Sequence, residues 1–160
     1  MDKFEGQMLA LLHMEEHGLT DKLWHFEFES CKRTLGRCFY EQKKIALSEW
    51  YVELNEEKDV EDTILHEIAH ALSFIRYGTK GKGHGRLWKK VCKEIGATPE
   101  RVHKGILEYP DNHYKYVDTC GCDITYKRHR LSARRTYRCP KCSQNLFVKK
   151  KNIVIYRKFA

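Results

Sequence analysis

The stretch TILHEIAHAL, residues 63–72, most constrains what this chain can become. It sets His66 and His70 four positions apart, with Glu67 between them. On a helix that spacing is just over one turn, so both imidazoles leave one face and can share a cation. The surroundings spell out the helix. Asp59 is read as its N-cap, and Glu61 and Asp62 put negative charge in the first turn, where the helix dipole favours it. Ile64, Ile68, Leu72 and Ile75 recur at helical spacing, and Leu65 and Ala69 widen the stripe into a core-facing side. Gly78 is read as the stop, which predicts a helix over 60–77.

A third histidine follows. GTKGKGHG, residues 78–85, is too glycine-rich to continue the helix and suits a reversal of the chain. After it, RLWKKVCKEIG reads as another helix with Leu87, Trp88, Val91, Cys92 and Ile95 on its apolar face and Gly96 at its end. His84 therefore stands at the head of a second helix that can pack near the first. Three neutral imidazoles, His66, His70 and His84, leave one tetrahedral position open, the arrangement of a catalytic rather than a structural zinc. Glu67 is then the base that takes a proton from water and passes it to a leaving amine. The plain alternative is three polar residues on an amphipathic helix. His13, His17, His25, His103 and His113 show no ligand spacing and are read as surface or partly buried residues.

The tail carries a second pattern. Cys120 and Cys122 form one pair and Cys139 and Cys142 another, as CPKC. Two cysteine pairs joined by a β-like segment read as a four-thiolate zinc ribbon, with the metal supplying a core that so short a segment lacks. Cys-x-Cys is tighter than the usual knuckle, so His129 remains open as a replacement ligand. Between the pairs, Lys127, Arg128, Arg130, Arg134 and Arg135 alternate with tyrosines. Arginines grip phosphates and tyrosines stack on unpaired bases, which makes this segment a candidate nucleic-acid contact; a solvated basic hairpin is the bland reading. Charge supports the division. Residues 1–114 carry a net −3, whereas residues 115–160 hold 13 Lys/Arg against 2 Asp/Glu, a net +11. Cys31 and Cys38 fall outside both modules and are read as packing residues.

Upstream, MDKFEGQMLALLHMEEHG lacks the basic start and unbroken apolar run of a signal peptide. It reads as an amphipathic helix over 4–17 with Phe4, Met8, Leu11 and Leu12 on one side. LWHFEFES alternates with Trp24, Phe26 and Phe28 on one face, as a strand does, and 37–47 reads as a hairpin turning near 41–43. A fourth helix is expected from Thr98 and Pro99. No apolar run is long enough for a membrane-spanning helix. Without a secretory signal, seven cysteines are expected as thiols or metal ligands. A cytoplasmic or nucleoid-associated location is expected, nuclear in a eukaryote.

TILHEIAHAL followed by GHGRLWKKVCKEIGATPERV resembles the SprT-like metalloproteases, the family that includes Spartan. The resemblance extends upstream through WHFEFESCKRTLGRCFYEQKKIALSEWYVELN and downstream into the cysteine pairs, covering about residues 5–150. It implies an α+β zincin-like domain over 1–114, a basic zinc ribbon over 115–160, one catalytic and one structural zinc, and protease activity on proteins trapped on DNA. The partners expected are DNA with single-stranded character and DNA-bound proteins, met by a monomer and away from membranes. Two other readings stay open: a nucleic-acid-binding zinc protein whose zincin part is scaffold, and another zinc hydrolase such as a nuclease.

Overall fold

The computed structural model describes residues 1–31, 33–102, 107–110, 116–120, 122, 124–128, 136–139, 141–146 and 153–154. The chain divides into two compact units, Met1–Tyr109 and Pro110–Ala160.

The first unit mixes helices with a small sheet. Its elements run α1 (Lys3–Glu16), β1 (His25–Glu29), β2 (Gly36–Phe39), β3 (Lys44–Ser48), α2 (Glu49–Leu54), α3 (Glu57–Tyr77) and α4 (Arg86–Glu94). The sheet order is β1-β3-β2, with β1 parallel and β2 antiparallel to β3. The hairpin lies where the alternation and the turn residues put it. β3 is the central strand, and Ile45, Ala46, Leu47 and Ser48 are all buried. That run lacks the alternation of a half-exposed strand because both its faces are covered.

Helix α3 is the axis of the unit. Val60, Ile64, Ile68, Ala69, Ala71 and Leu72 are buried on it, against Ile45, Leu47, Tyr51, Val52, Trp88 and Val91. It starts earlier than its sequence predicts: Glu56 is the N-cap, and Asp59 lies in the first turn. There the Asp59 carbonyl accepts from the Tyr51 hydroxyl at 2.7 Å and from the Thr63 hydroxyl at 3.1 Å.

Helix α1 is where it was expected but turned the other way. Its buried residues are Gly6, Ala10 and Met14, while Phe4, Met8 and Leu12 are exposed. At the start of the helix a small residue faces inward because the helix packs close: a Cβ on Gly6 would lie 2.6 Å from Val52 Cγ1. Asp2 caps this helix, and with Glu5 it closes a reciprocal capping box. The fourth helix expected from Thr98 is not formed at 97–102; residues 103–106 lie outside the described residues. The Thr98 N–H instead donates to Asp62 Oδ1 on α3 at 2.8 Å.

The second unit holds β4 (Tyr116–Cys120), β5 (Ile124–Arg128), β6 (Tyr137–Arg138), β7 (Asn145–Leu146) and β8 (Ile153–Val154). β4 and β5 pair antiparallel, β8 adds to β4 in parallel, and β6 and β7 form a separate antiparallel pair. Among the described residues, no helix is long and apolar enough to cross a membrane.

Candidate metal centre

His66 and His70 leave α3 one turn apart, and their rings sit 5.0 Å from each other. What brings His84 to them is the reversal after α3. A 3₁₀ turn, Gly78–Gly81, folds the chain back over the end of the helix. It passes so near that a Cβ on Gly81 would stand 2.1 Å from the Ser73 carbonyl oxygen, so only glycine fits. The Ser73 hydroxyl donates to the Gly81 carbonyl at 2.9 Å and latches the turn down. His84 then arrives with its Nε2 at 3.1 Å from both His66 Nε2 and His70 Nε2. One turn into α4, Trp88 is fully buried beneath all three rings, with centroids at 4.8, 5.1 and 4.6 Å from His66, His70 and His84.

Three lone-pair nitrogens this close do not satisfy one another with hydrogen bonds, since a neutral imidazole carries one proton. Around a tetrahedral zinc with metal–nitrogen bonds of about 2.0–2.1 Å, nitrogens stand roughly 3.3 Å apart. The observed spacing fits that edge. The protonation states fit as well. Burial lowers His66 to about 4, with His84 adding to the effect and Asp62 opposing it. Burial lowers His70 to about 3, helped by His66 and His84. His84 is also lowered, by desolvation and then Arg101. At neutral pH all three are uncharged donors.

Tyr40 completes the shell around His70. Its Oη lies 3.4 Å from His70 Nδ1, so an Nδ1 proton has an acceptor while Nε2 keeps its lone pair for a cation. Sequence reasoning missed Tyr40; it sits at the end of the hairpin, and nothing local marks it as facing a helix thirty residues on.

Glu67, on the turn of α3 between His66 and His70, is only 7% exposed. Desolvation raises its carboxyl to about 8, with Arg37 pulling the other way. Gly36 on β2 makes room for it: a Cβ there would lie 2.8 Å from Leu47 Cδ2, 3.0 Å from Glu67 Cγ and 3.1 Å from Glu67 Oε1. The three histidines and Glu67 line a cleft of about 1100 Å³. One wall is residues 33–40, the other the N-terminal half of α3 with Arg101 and Val102. Of the basic residues beside His84 in the sequence, neither Lys82 nor Arg86 lines the cleft. Lys82 pairs with Glu41 at 3.2 Å and lies over the Tyr40 and Phe74 rings.

In the second unit, Cys122, Cys139 and Cys142 bring their sulfurs within 4.8 Å of one another. β6 leads into a tight turn in which the Cys139 N–H donates to the Gln144 carbonyl at 3.0 Å and the Ser143 N–H to the Cys139 carbonyl at 2.7 Å. Four sulfurs around one zinc at about 2.3 Å stand roughly 3.8 Å apart, so the grouping suits a thiolate-bound metal. Cys120 ends β4 on the backbone, and its side chain lies outside the described residues. Lys127 and Arg128 fall in β5, again with only the backbone described; His129, Arg130, Arg134 and Arg135 lie outside the described residues.

The model of the SprT-like family matches residues 7–108. A Protein SprT of Glaesserella parasuis serovar 5 (strain SH0165) is 27% identical over 126 residues, spanning 74% of this chain and 79% of that protein. Protein SprT of Enterobacter sp. (strain 638) is 30% identical over 118 residues, 69% of this chain and 70% of its own length. The Vibrio parahaemolyticus serotype O3:K6 (strain RIMD 2210633) protein of that name is 26% identical over 121 residues, 71% and 72%. No solved structure matches.

Proposed function

The chain belongs to the SprT-like family, and on that premise we propose that it is a zinc-dependent metallopeptidase of zincin-like fold, brought to DNA by a C-terminal zinc ribbon to cleave proteins bound or crosslinked there. The observation that carries the reading is the convergence of His66, His70 and His84 at 3.1 Å beside the buried Glu67. Those three histidines would hold the catalytic zinc. Bound there, zinc supplies Lewis acidity toward a peptide carbonyl and makes water a stronger acid.

The rest is done by side chains of this protein. The Glu67 carboxyl, raised to about 8 by burial, ionises more readily beside a cation held by the histidines; the carboxylate, packed beside Gly36, then accepts the proton of the attacking water and returns it to the leaving amine. Tyr40 holds the Nδ1 proton of His70 and keeps that ring turned toward the site. Among the described residues β2 has β3 on one side only, and its residues line the cleft. An extended peptide can therefore pair with that edge and lay its backbone across the histidines, a mode that reads main chain more than sequence.

Cys120, Cys122, Cys139 and Cys142 would hold the structural zinc of the ribbon. Lys127, Arg128, Arg130, Arg134 and Arg135, in a segment of net +11, would grip phosphates. A nuclease reading is less well supported, because two-metal phosphodiester chemistry calls for clustered carboxylates. The metal-competent group at the cleft is three histidines. The deciding experiment is incubation of the full chain with a DNA-binding protein, with and without single-stranded DNA, beside a Glu67→Gln control. Cleavage that needs both DNA and Glu67 is expected; cleavage indifferent to Glu67 would refute the proposal.

A further inference from the structure

Helix α1 ends in a second constellation, remote in sequence from the cleft histidines. His13, Glu16 and His17 each bring one ligand atom within 4.8 Å of the other two. Positions i, i+3 and i+4 share a helix face, so His13 and His17 do have ligand spacing, contrary to what the sequence suggested. Their rings lie side by side, 11° from parallel, with centroids 6.5 Å apart.

A contact from another helix orients the group. His13 Nε2 lies 2.9 Å from Glu61 Oε1 on α3. A carboxylate there takes the Nε2 proton and leaves Nδ1 as a bare lone pair. His13 Nδ1 is buried without a hydrogen-bond partner. It faces Glu16 Oε2, itself an acceptor, at 3.4 Å. Two acceptors so placed repel unless a cation stands with them, either a second ring proton or a metal ion.

We propose that His13 Nδ1, Glu16 and His17 form a low-affinity site for a divalent cation of the zinc type, held in register by Glu61. Two imidazoles and a carboxylate suit zinc, copper or nickel rather than magnesium or calcium. Glu16 and Glu61 together offset the charge of the ion. Arg76 lowers His17 and is already paired with Glu94, and Lys22 donates to the Gly18 carbonyl at the end of the helix. Desolvation is the larger reason that His17 is lowered, and it leaves that ring neutral and able to donate. All three ligands come from one helix turn, so the ion fills the site only when zinc is plentiful. Once there, it ties the last turn of α1, through His13 and Glu61, to the helix that carries His66 and Glu67.

The test is equilibrium dialysis of the full chain against zinc chloride, stepped from low to high micromolar, with bound zinc measured by elemental analysis. Wild type gains one further equivalent over that range. His17→Ala and Glu16→Gln, both at partly exposed positions, lose that increment and keep the tightly held zinc and the peptidase rate. The readout is a difference between variants, so it stands apart from whether the cleft zinc supports proteolysis. If wild type shows no increment, or either variant retains it, the three residues hold no divalent cation and the proposal is overturned.

Discussion

Tyr40 Oη stands 3.4 Å from His70 Nδ1, which joins the end of the hairpin to the helix that carries the metal ligands. Removing that hydroxyl should free the His70 ring without touching any ligand. Tyr40→Phe is therefore expected to hold cleft zinc about 10–100-fold more weakly, the usual loss when an outer hydrogen bond to a ligand histidine goes. Competition against a chelator measures it, with the thermal midpoint as a control for folding. Unchanged zinc affinity would mean the contact is incidental.

Gly36 tests the other side of the site. Alanine there presses on Leu47 and Glu67. Overpacking of this kind costs about 1–3 kcal/mol, and part of it should appear as displacement of Glu67 rather than as unfolding. Gly36→Ala is expected to lose more in kcat than in KM. A variant with normal kcat would show that Leu47 alone absorbs the strain.

Glu67 also makes a prediction about the metal-free protein. Its carboxyl is raised from 4.5 to about 8 when folded. Between those values the folded state keeps a proton that the unfolded chain has released, so Glu67 costs stability as pH rises through the window and adds nothing below it. At roughly 1.4 kcal/mol for each pH unit, the cost at pH 8 is on the order of a few kcal/mol. With zinc chelated, Glu67→Gln should be more stable than wild type at pH 8, and the gap should close toward pH 4.5. Denaturant melts across that range check it; a gap independent of pH would contradict burial as the cause of the shift.

The DNA reading rests on charge, so salt should expose it. Binding of single-stranded DNA is expected to weaken steeply with salt, because phosphate contacts release counterions. Replacing Arg128, Arg130, Arg134 and Arg135 with alanine should flatten that slope and abolish DNA-stimulated cleavage, with slow DNA-independent cleavage remaining. A variant with the wild-type slope would make the segment a solvated hairpin.

The histidines were legible in the sequence because each depends on local geometry. His66 and His70 need only the helical period, and His84 needs only the glycine-rich reversal. Tyr40 and Gly36 were not legible as site residues, because each meets α3 across the fold, and no window of sequence contains both partners. The face of α1 was misread for a related reason. Apolar periodicity put Phe4, Met8, Leu11 and Leu12 on one side, and of these Leu11 packs on the core; yet the buried residues are Gly6, Ala10 and Met14, with Gly6 against Val52. The short helix α2 went unseen because its six residues are too few for the period to register. His13 and His17 were set aside although they stand at the same i, i+4 spacing as His66 and His70; what singles them out, the buried and unpartnered His13 Nδ1 and the contact with Glu61, is made across the fold.

On the proposed function, Glu67 is the base of a zinc-dependent protease acting on DNA-bound proteins. The most direct measurement pairs zinc content with turnover in Glu67→Gln, using a DNA-binding protein as substrate and single-stranded DNA as cofactor. Glu67→Gln should retain the zinc of wild type and lose cleavage by at least about 10²-fold, because the ligands remain and only the proton acceptor is gone. Full zinc content with a wild-type rate of cleavage would contradict the account.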